Sequence, residues 1–178
     1  MAFTMLRYGI MTRAPLTVIT GEIGAGKTTL LRHLLQELPE DLTVGLISNM
    51  QEGRGEVLHW AMMALDQPFD DEPYVKLFRR FQDFLIESYA AGRRVLLIVD
   101  EAQELSPKSL EELRMFSNIN ADKDELLQIV LVGQPQLRDT LARPELVQFA
   151  QRISSDFHLG PLTAEEVAHY IQHRLAVA

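Results

Sequence analysis

Leu16-Thr17-Val18-Ile19-Thr20-Gly21-Glu22-Ile23-Gly24-Ala25-Gly26-Lys27-Thr28-Thr29-Leu30-Leu31 changes character twice along its length. An apolar run rich in β-branched residues leads into a glycine-rich turn, and a second apolar run with the composition of a helix follows. The fixed positions Gly21-x-x-x-x-Gly26-Lys27-Thr28 therefore lie between a strand and a helix, the context in which this spacing forms a phosphate-cradling loop. Gly21, Gly24 and Gly26 carry no Cβ and tolerate positive φ, so the backbone can curl with its N–H groups pointing inward as an anion nest. The helix that begins near Lys27 adds about half a positive charge at its N-terminus.

Residues Gly21, Glu22, Ile23, Gly24, Ala25, Gly26, Lys27, Thr28 and Thr29 are accordingly the expected contacts of a nucleoside triphosphate, with ATP the cofactor. Lys27 is expected to reach the β- and γ-phosphates, and the Thr28 hydroxyl to ligate the Mg²⁺ that accompanies them.

A second informative stretch is Arg94-Val95-Leu96-Leu97-Ile98-Val99-Asp100-Glu101. Its unbroken apolar run is the signature of a parallel strand covered on both faces, and it ends in two adjacent carboxylates. Asp100 is the expected second protein ligand of the metal. Glu101 is the expected general base for the water that attacks the γ-phosphate. Leu126 to Gly133 reads as a further buried strand, with Gln134 directly after it. Gln134 either hydrogen-bonds the γ-phosphate or the lytic water, or caps the helix that begins at Pro135. Asn49, after the short apolar strand Leu42 to Ile47, has the same two readings of phosphate sensing or turn formation.

The remaining segments fit one α/β domain. Ala2 to Thr12 reads as a short helix before Pro15, set either against a nucleotide base or simply into the core. Gly55 to Leu65 is apolar almost all round, and Leu77, Phe78, Phe81, Phe84, Leu85 and Tyr89 recur at helical spacing as a core stripe. Ser106-Pro107 gives a helix cap and first-turn proline. Phe157 to Leu159 reads as a fifth strand, and Thr163-x-x-Glu166 as a capping box for a last helix.

At 178 residues, 47% hydrophobic and 24% charged, the composition is that of an ordinary globular domain. Its apolar runs are too short to span a bilayer and Met1 to Ala14 does not resemble a secretion signal, so the expected location is the cytoplasm. The absence of cysteine excludes disulfides, thiolate metal sites and thiol catalysis. The net charge of −8 disfavours a large nucleic-acid surface without excluding a small one. The five histidines show no shared metal spacing.

Alternating strands and helices, with the glycine-rich loop after the first strand and Asp-Glu after the third, resemble the AAA+ branch of P-loop ATPases. More narrowly, Thr20 to Leu31, Leu97-Ile-Val-Asp-Glu-Ala-Gln103, Leu113-Arg-Met-Phe-Ser-Asn118, Val130-Leu-Val-Gly-Gln-Pro-Gln-Leu137 and Leu6-Arg-Tyr-Gly9 resemble the ATPase domain of general secretion pathway protein A (ExeA-like) proteins. The resemblance covers nearly the whole chain. It implies a three-layer α/β P-loop fold of the AAA+/ASCE type with a five-stranded parallel sheet in the order 5-1-4-3-2. It also implies ATP hydrolysis coupled to a protein partner of a secretion or pilus-type assembly, and a homo-oligomer in the full-length form. By the same resemblance Arg152 takes the place of an arginine that reaches a neighbouring subunit's nucleotide, with an ordinary ion pair as the alternative. Such relatives continue into a helical lid, and this sequence stops at Ala178, so residues 1–178 are expected to be the ATPase core of a longer chain without its lid. A cytoplasmic domain of an inner-membrane-associated protein fits that expectation. The other function in view is a transposition-helper ATPase that binds DNA.

Overall fold

The computed structural model describes residues 2–50, 56–69, 72–121 and 123–160. Five strands form one parallel sheet: β1 (Leu16–Gly21), β2 (Leu42–Ile47), β3 (Arg94–Val99), β4 (Leu127–Gly133) and β5 (Ser155–Leu159). Counted in chain order, β2 neighbours β3, β3 neighbours β4, β4 neighbours β1 and β1 neighbours β5, which is the expected 5-1-4-3-2 order read from the other edge.

Strand side chains alternate between two cores. Leu16 and Val18 of β1, Val95, Leu97 and Val99 of β3, and Leu127, Ile129 and Leu131 of β4 face one side. There they meet α3 (Val57–Ala64), α4 (Tyr74–Ala90) and α5 (Pro107–Ser117). Ile19, Leu96, Ile98, Val130 and Val132 face the other side, packed on α1 (Ala2–Met11) and α2 (Lys27–Glu37) through Leu6, Ile10, Leu31 and Leu34. The period of two in a strand makes both faces apolar, so helices must cover both, and three layers result.

Local chemistry sets the helix ends. The Ser106 hydroxyl accepts from the Ser109 amide at 3.1 Å, with Pro107 in the first turn of α5. After α4, Gly92 at φ +72° lets the Gly92 and Arg93 amides return to the carbonyls of Tyr89 and Ser88. α3 begins without a side-chain cap of its own. Instead Glu112 of α5 accepts from the Val57 and Leu58 amides, at 3.2 and 3.1 Å, and from the Tyr74 hydroxyl at 3.1 Å. Buried Gln128 of β4 donates to the carbonyls of Ile10 and Ala14 and so ties the segment before β1 to the sheet.

Several expectations are refined. The polar link after α5 contains a small antiparallel hairpin, Asn120–Ala121 with Asp124–Glu125, separate from the main sheet. Leu6 and Ile10 place α1 in the core by plain packing. Met63 on α3 and Tyr89 on α4 are exposed, and Tyr89 hydrogen-bonds Asp124 of the hairpin. α6 (Gln136–Leu141) and a 3₁₀ turn at Pro144–Leu146 precede α7 (Val147–Ala150), which ends two residues before Arg152. The capping box at Thr163 and the last helix lie outside the described residues. Among the described residues no helix is long and apolar enough to cross a membrane.

Candidate nucleotide-binding site

β1, β3 and β4 lie side by side and parallel, so their C-terminal ends share one rim of the sheet. At that rim the chain leaves β1 into the glycine loop, β3 into Asp100-Glu101, and β4 into Gln134. A cavity of about 700 Å³ opens there, within the range of small-ligand pockets. It is lined by residues 23–30, His33, Glu101, Gln134 and Leu159.

The loop has the backbone its glycines foretell. Gly24 and Gly26 sit at φ +82° and +88°, and a Cβ built at either would meet nothing within 4 Å, so conformation and not crowding requires glycine there. Gly21 is required by contact instead, since a Cβ there would lie 2.9 Å from the Leu159 Cβ on neighbouring β5. Lys27 is buried at the first turn of α2, and its Nζ donates to the carbonyls of Gly21 at 2.6 Å and Glu22 at 2.9 Å. The ammonium therefore sits inside the curl, with one of its three protons beyond those two bonds.

Asp100 and Glu101 follow β3 directly. Asp100 Oδ1 accepts from the Glu101 amide at 2.9 Å. Burial raises the Asp100 pKa above the ordinary carboxylate value; the Glu101 amide opposes this, the Glu101 charge adds to it, and the Lys27 ammonium opposes it. Lys27 and Asp100, 73 residues apart by number, are thus electrostatic neighbours. Glu101 stands at φ +54°, a left-handed conformation that costs a non-glycine residue about 1–3 kcal/mol, and the residue borders the cavity. Asn49, at the end of β2, takes the same conformation at φ +57° but is not among the residues lining the cavity.

Gln134 also borders the cavity. Its side chain makes no cap bond to α6, whose N-cap residue is Pro135, while its carbonyl accepts from the Leu137 amide at 3.0 Å. Arg152 lies at the other rim, just before β5, where it pairs with Glu125 at 3.5 Å and donates to the Ser117 carbonyl at 2.8 Å and the Asn118 side chain. The site is therefore closed to it within one copy of the chain.

The donors at the rim suit Mg²⁺, a hard cation that takes one or two protein oxygens and completes its shell with phosphate and water. Thr28 and Asp100 offer a hydroxyl and a carboxylate. Among the described residues no cluster of three or more acidic or imidazole side chains could hold a metal by itself. Sequence reasoning did not assign Gln103, whose side chain bonds both Glu101 and Gln134, or His33, which lines the cavity. Gln103 stood within the Asp-Glu-Ala-Gln motif; its geometric role depends on the return of β4 beside β3.

Residues 10–141 match the AAA domain family. General secretion pathway protein A of Aeromonas hydrophila is 40% identical over 178 residues, which is 99% of this chain and 32% of that protein. The chain thus spans about a third of the length of that relative. Among solved structures, the ORC2 protein of Aeropyrum pernix in its ADPNP–ADP complexes aligns with TM-score 0.68 at 18% identity, covering 90% of this chain and 45% of that one. A Walker-type ATPase of Pyrococcus abyssi aligns with TM-score 0.62 at 18% identity, covering 96% and 55%. At such identities the structures establish the shared fold. The family match across most of the length, with the relative of Aeromonas hydrophila spanning nearly all of it, shows that this chain belongs to the AAA domain family.

Proposed function

We propose that the chain binds ATP with Mg²⁺ and hydrolyses it, as the ATPase core of a protein serving a secretion or pilus-type assembly. The observation that carries this reading is the convergence of a glycine loop, a buried lysine and a strand-end glutamate on one cavity. Likeness to general secretion pathway protein A supports the secretion side, and membership of the AAA family supports nucleotide turnover.

The roles follow from position. Backbone amides of residues 22 to 28 hold the phosphates, and the dipole of α2 favours their charge. Lys27 exchanges its loop carbonyls for phosphate oxygens, a charge-assisted contact stronger than the neutral ones it replaces. Thr28 and Asp100 would hold the Mg²⁺, which would supply positive charge against the phosphates. The Glu101 carboxylate takes a proton from water as the water oxygen attacks the γ-phosphorus; the bond to the bridging oxygen breaks and ADP departs with that oxygen. Gln134, directly after the neighbouring strand β4, orients the water or the γ-phosphate. Arg152 serves the nucleotide of a neighbouring copy, since its own lies at the opposite rim.

Glu101→Gln keeps the shape of the side chain and removes the base. It is expected to leave ATP binding intact and to lower turnover by about 10² to 10⁴-fold, measured by phosphate release beside a binding titration. Turnover equal to wild type would remove Glu101 from this role.

A further inference from the structure

The Gln103 side chain spans the gap between the ends of β3 and β4. Its Nε2 donates to Glu101 Oε2 at 2.6 Å, and its Oε1 accepts from the Gln134 amide at 2.9 Å. One planar group thus uses its donor on the glutamate and its acceptor on the backbone of the residue that faces the same cavity. The seat is close-fitting. A Cβ at Gly133 would fall 2.9 Å from Gln103 Oε1 and 3.1 Å from the Gln103 amide nitrogen, so the absence of a side chain there lets β4 come near enough for the bond. The Gln103 segment is a 3₁₀ turn, Ala102–Glu104, anchored by fully buried Ala102 and packed on α6 and β4.

Glu101 needs such a support. Its backbone is left-handed, so the side chain leaves β3 in a direction that strand geometry does not fix. Among the described residues no donor other than Gln103 bonds its carboxylate, and that bond engages Oε2, leaving Oε1 without a hydrogen bond.

We propose that Gln103 is a positioning residue. It clamps the Glu101 carboxylate to the end of β4, so that the base and Gln134 hold one fixed geometry and a displacement of either is transmitted to the other. The clamp rests on the hydrolytic reading of Glu101 given above. It assigns Gln103 no contact with nucleotide, so its effect belongs in turnover and not in affinity.

Two variants separate the two arms of the amide. Gln103→Ala removes both bonds. Gln103→Glu keeps an acceptor for the Gln134 amide and sets a second carboxylate against Glu101. Both are expected to retain the wild-type Kd for ATP with Mg²⁺ while kcat falls by about ten- to a hundredfold, the loss that a displaced catalytic group brings. Without nucleotide, hydrogen exchange at the Gln134 amide should accelerate in Gln103→Ala and remain slow in Gln103→Glu. A kcat within twofold of wild type in both variants, or unchanged Gln134 exchange in Gln103→Ala, overturns the clamp. Activity of wild type with loss in Glu101→Gln, beside unaffected Gln103 variants, rejects the clamp and keeps the ATPase reading. A wild-type protein that does not hydrolyse ATP rejects the ATPase reading and with it the positioning role of Gln103, whatever the exchange measurement shows of its bond to Gln134.

Discussion

Gly133 shows how one missing side chain can let two strand ends meet. The ends of β3 and β4 approach until a Cβ at this position would strike Gln103 and also come within 3.2 Å of Leu137. Gly133→Ala is therefore expected to displace Gln103 and to melt at lower temperature, by an overpacking cost of about 1–3 kcal/mol. Turnover should fall while ATP affinity, set on β1 and α2, stays at the wild-type value; a thermal melt and a steady-state assay with a binding titration check this together. Gly24 and Gly26 were legible in the sequence because their requirement is local, a curl at positive φ, whereas the contact that demands Gly21 comes from Leu159 on β5. The positions of Lys27, Thr28, Asp100 and Glu101 were legible for a related reason, since each lies within two residues of the end of a strand or turn with a strong pattern of its own. Gln103 was not, because its meaning comes from a bond to a residue 31 positions away, across two strands whose adjacency no local pattern announces.

Among the helices, α3 depends most on a neighbour. Its first two amides are held by the Glu112 carboxylate from the middle of α5, which also accepts from Tyr74 at the start of α4, so two helix beginnings meet at one acidic group. Burial raises the Glu112 pKa, against the lowering effect of the Leu58 amide, the Tyr74 hydroxyl and the Val57 amide, while the charge of Glu56 adds to the rise. The same burial, with the Glu112 charge beside it, raises the Tyr74 pKa. A carboxyl whose folded pKa exceeds its unfolded value contributes stability that is complete below the unfolded value. That contribution is lost as pH rises through the folded one. Glu112→Gln has no such titration, so the Tm of wild type minus that of this variant should fall from pH 4 to pH 7; a rise over that range would show that the ionised cap is the stabilising form. The main strands and helices could be read from the sequence because burial imposes a period on them, on both faces for β3 and β4. The hairpin at Asn120–Ala121 and Asp124–Glu125 could not, since two-residue strands are too short to show one. Tyr89 misled for a different reason. Its spacing continues the apolar stripe of α4, yet its hydroxyl finds Asp124 at the surface.

In the molecule entire, the sheet order divides labour between two rims. Loop, Glu101 and Gln134 share the C-terminal rim because β1, β4 and β3 are consecutive neighbours, and Arg152 lies at the N-terminal rim because it precedes β5. A contribution of Arg152 to hydrolysis then requires a second copy. Arg152→Ala and Glu101→Gln, each inactive or weak alone, should regain turnover when mixed, because a Glu101→Gln subunit can lend its arginine to a site with an intact glutamate. Mixtures no more active than the sum of the parts would confine Arg152 to its bonds with Ser117, Asn118 and Glu125. All of these roles presuppose that the curl around Lys27 receives a triphosphate, and calorimetric titration of the wild-type chain and Lys27→Ala with ATP and Mg²⁺ tests this most directly. Loss of a charge-assisted hydrogen bond of about 1.5–3 kcal/mol predicts saturable binding to wild type and about ten- to a hundredfold weaker binding to the variant. No heat of binding with wild type, or equal affinity in the two proteins, would contradict the account.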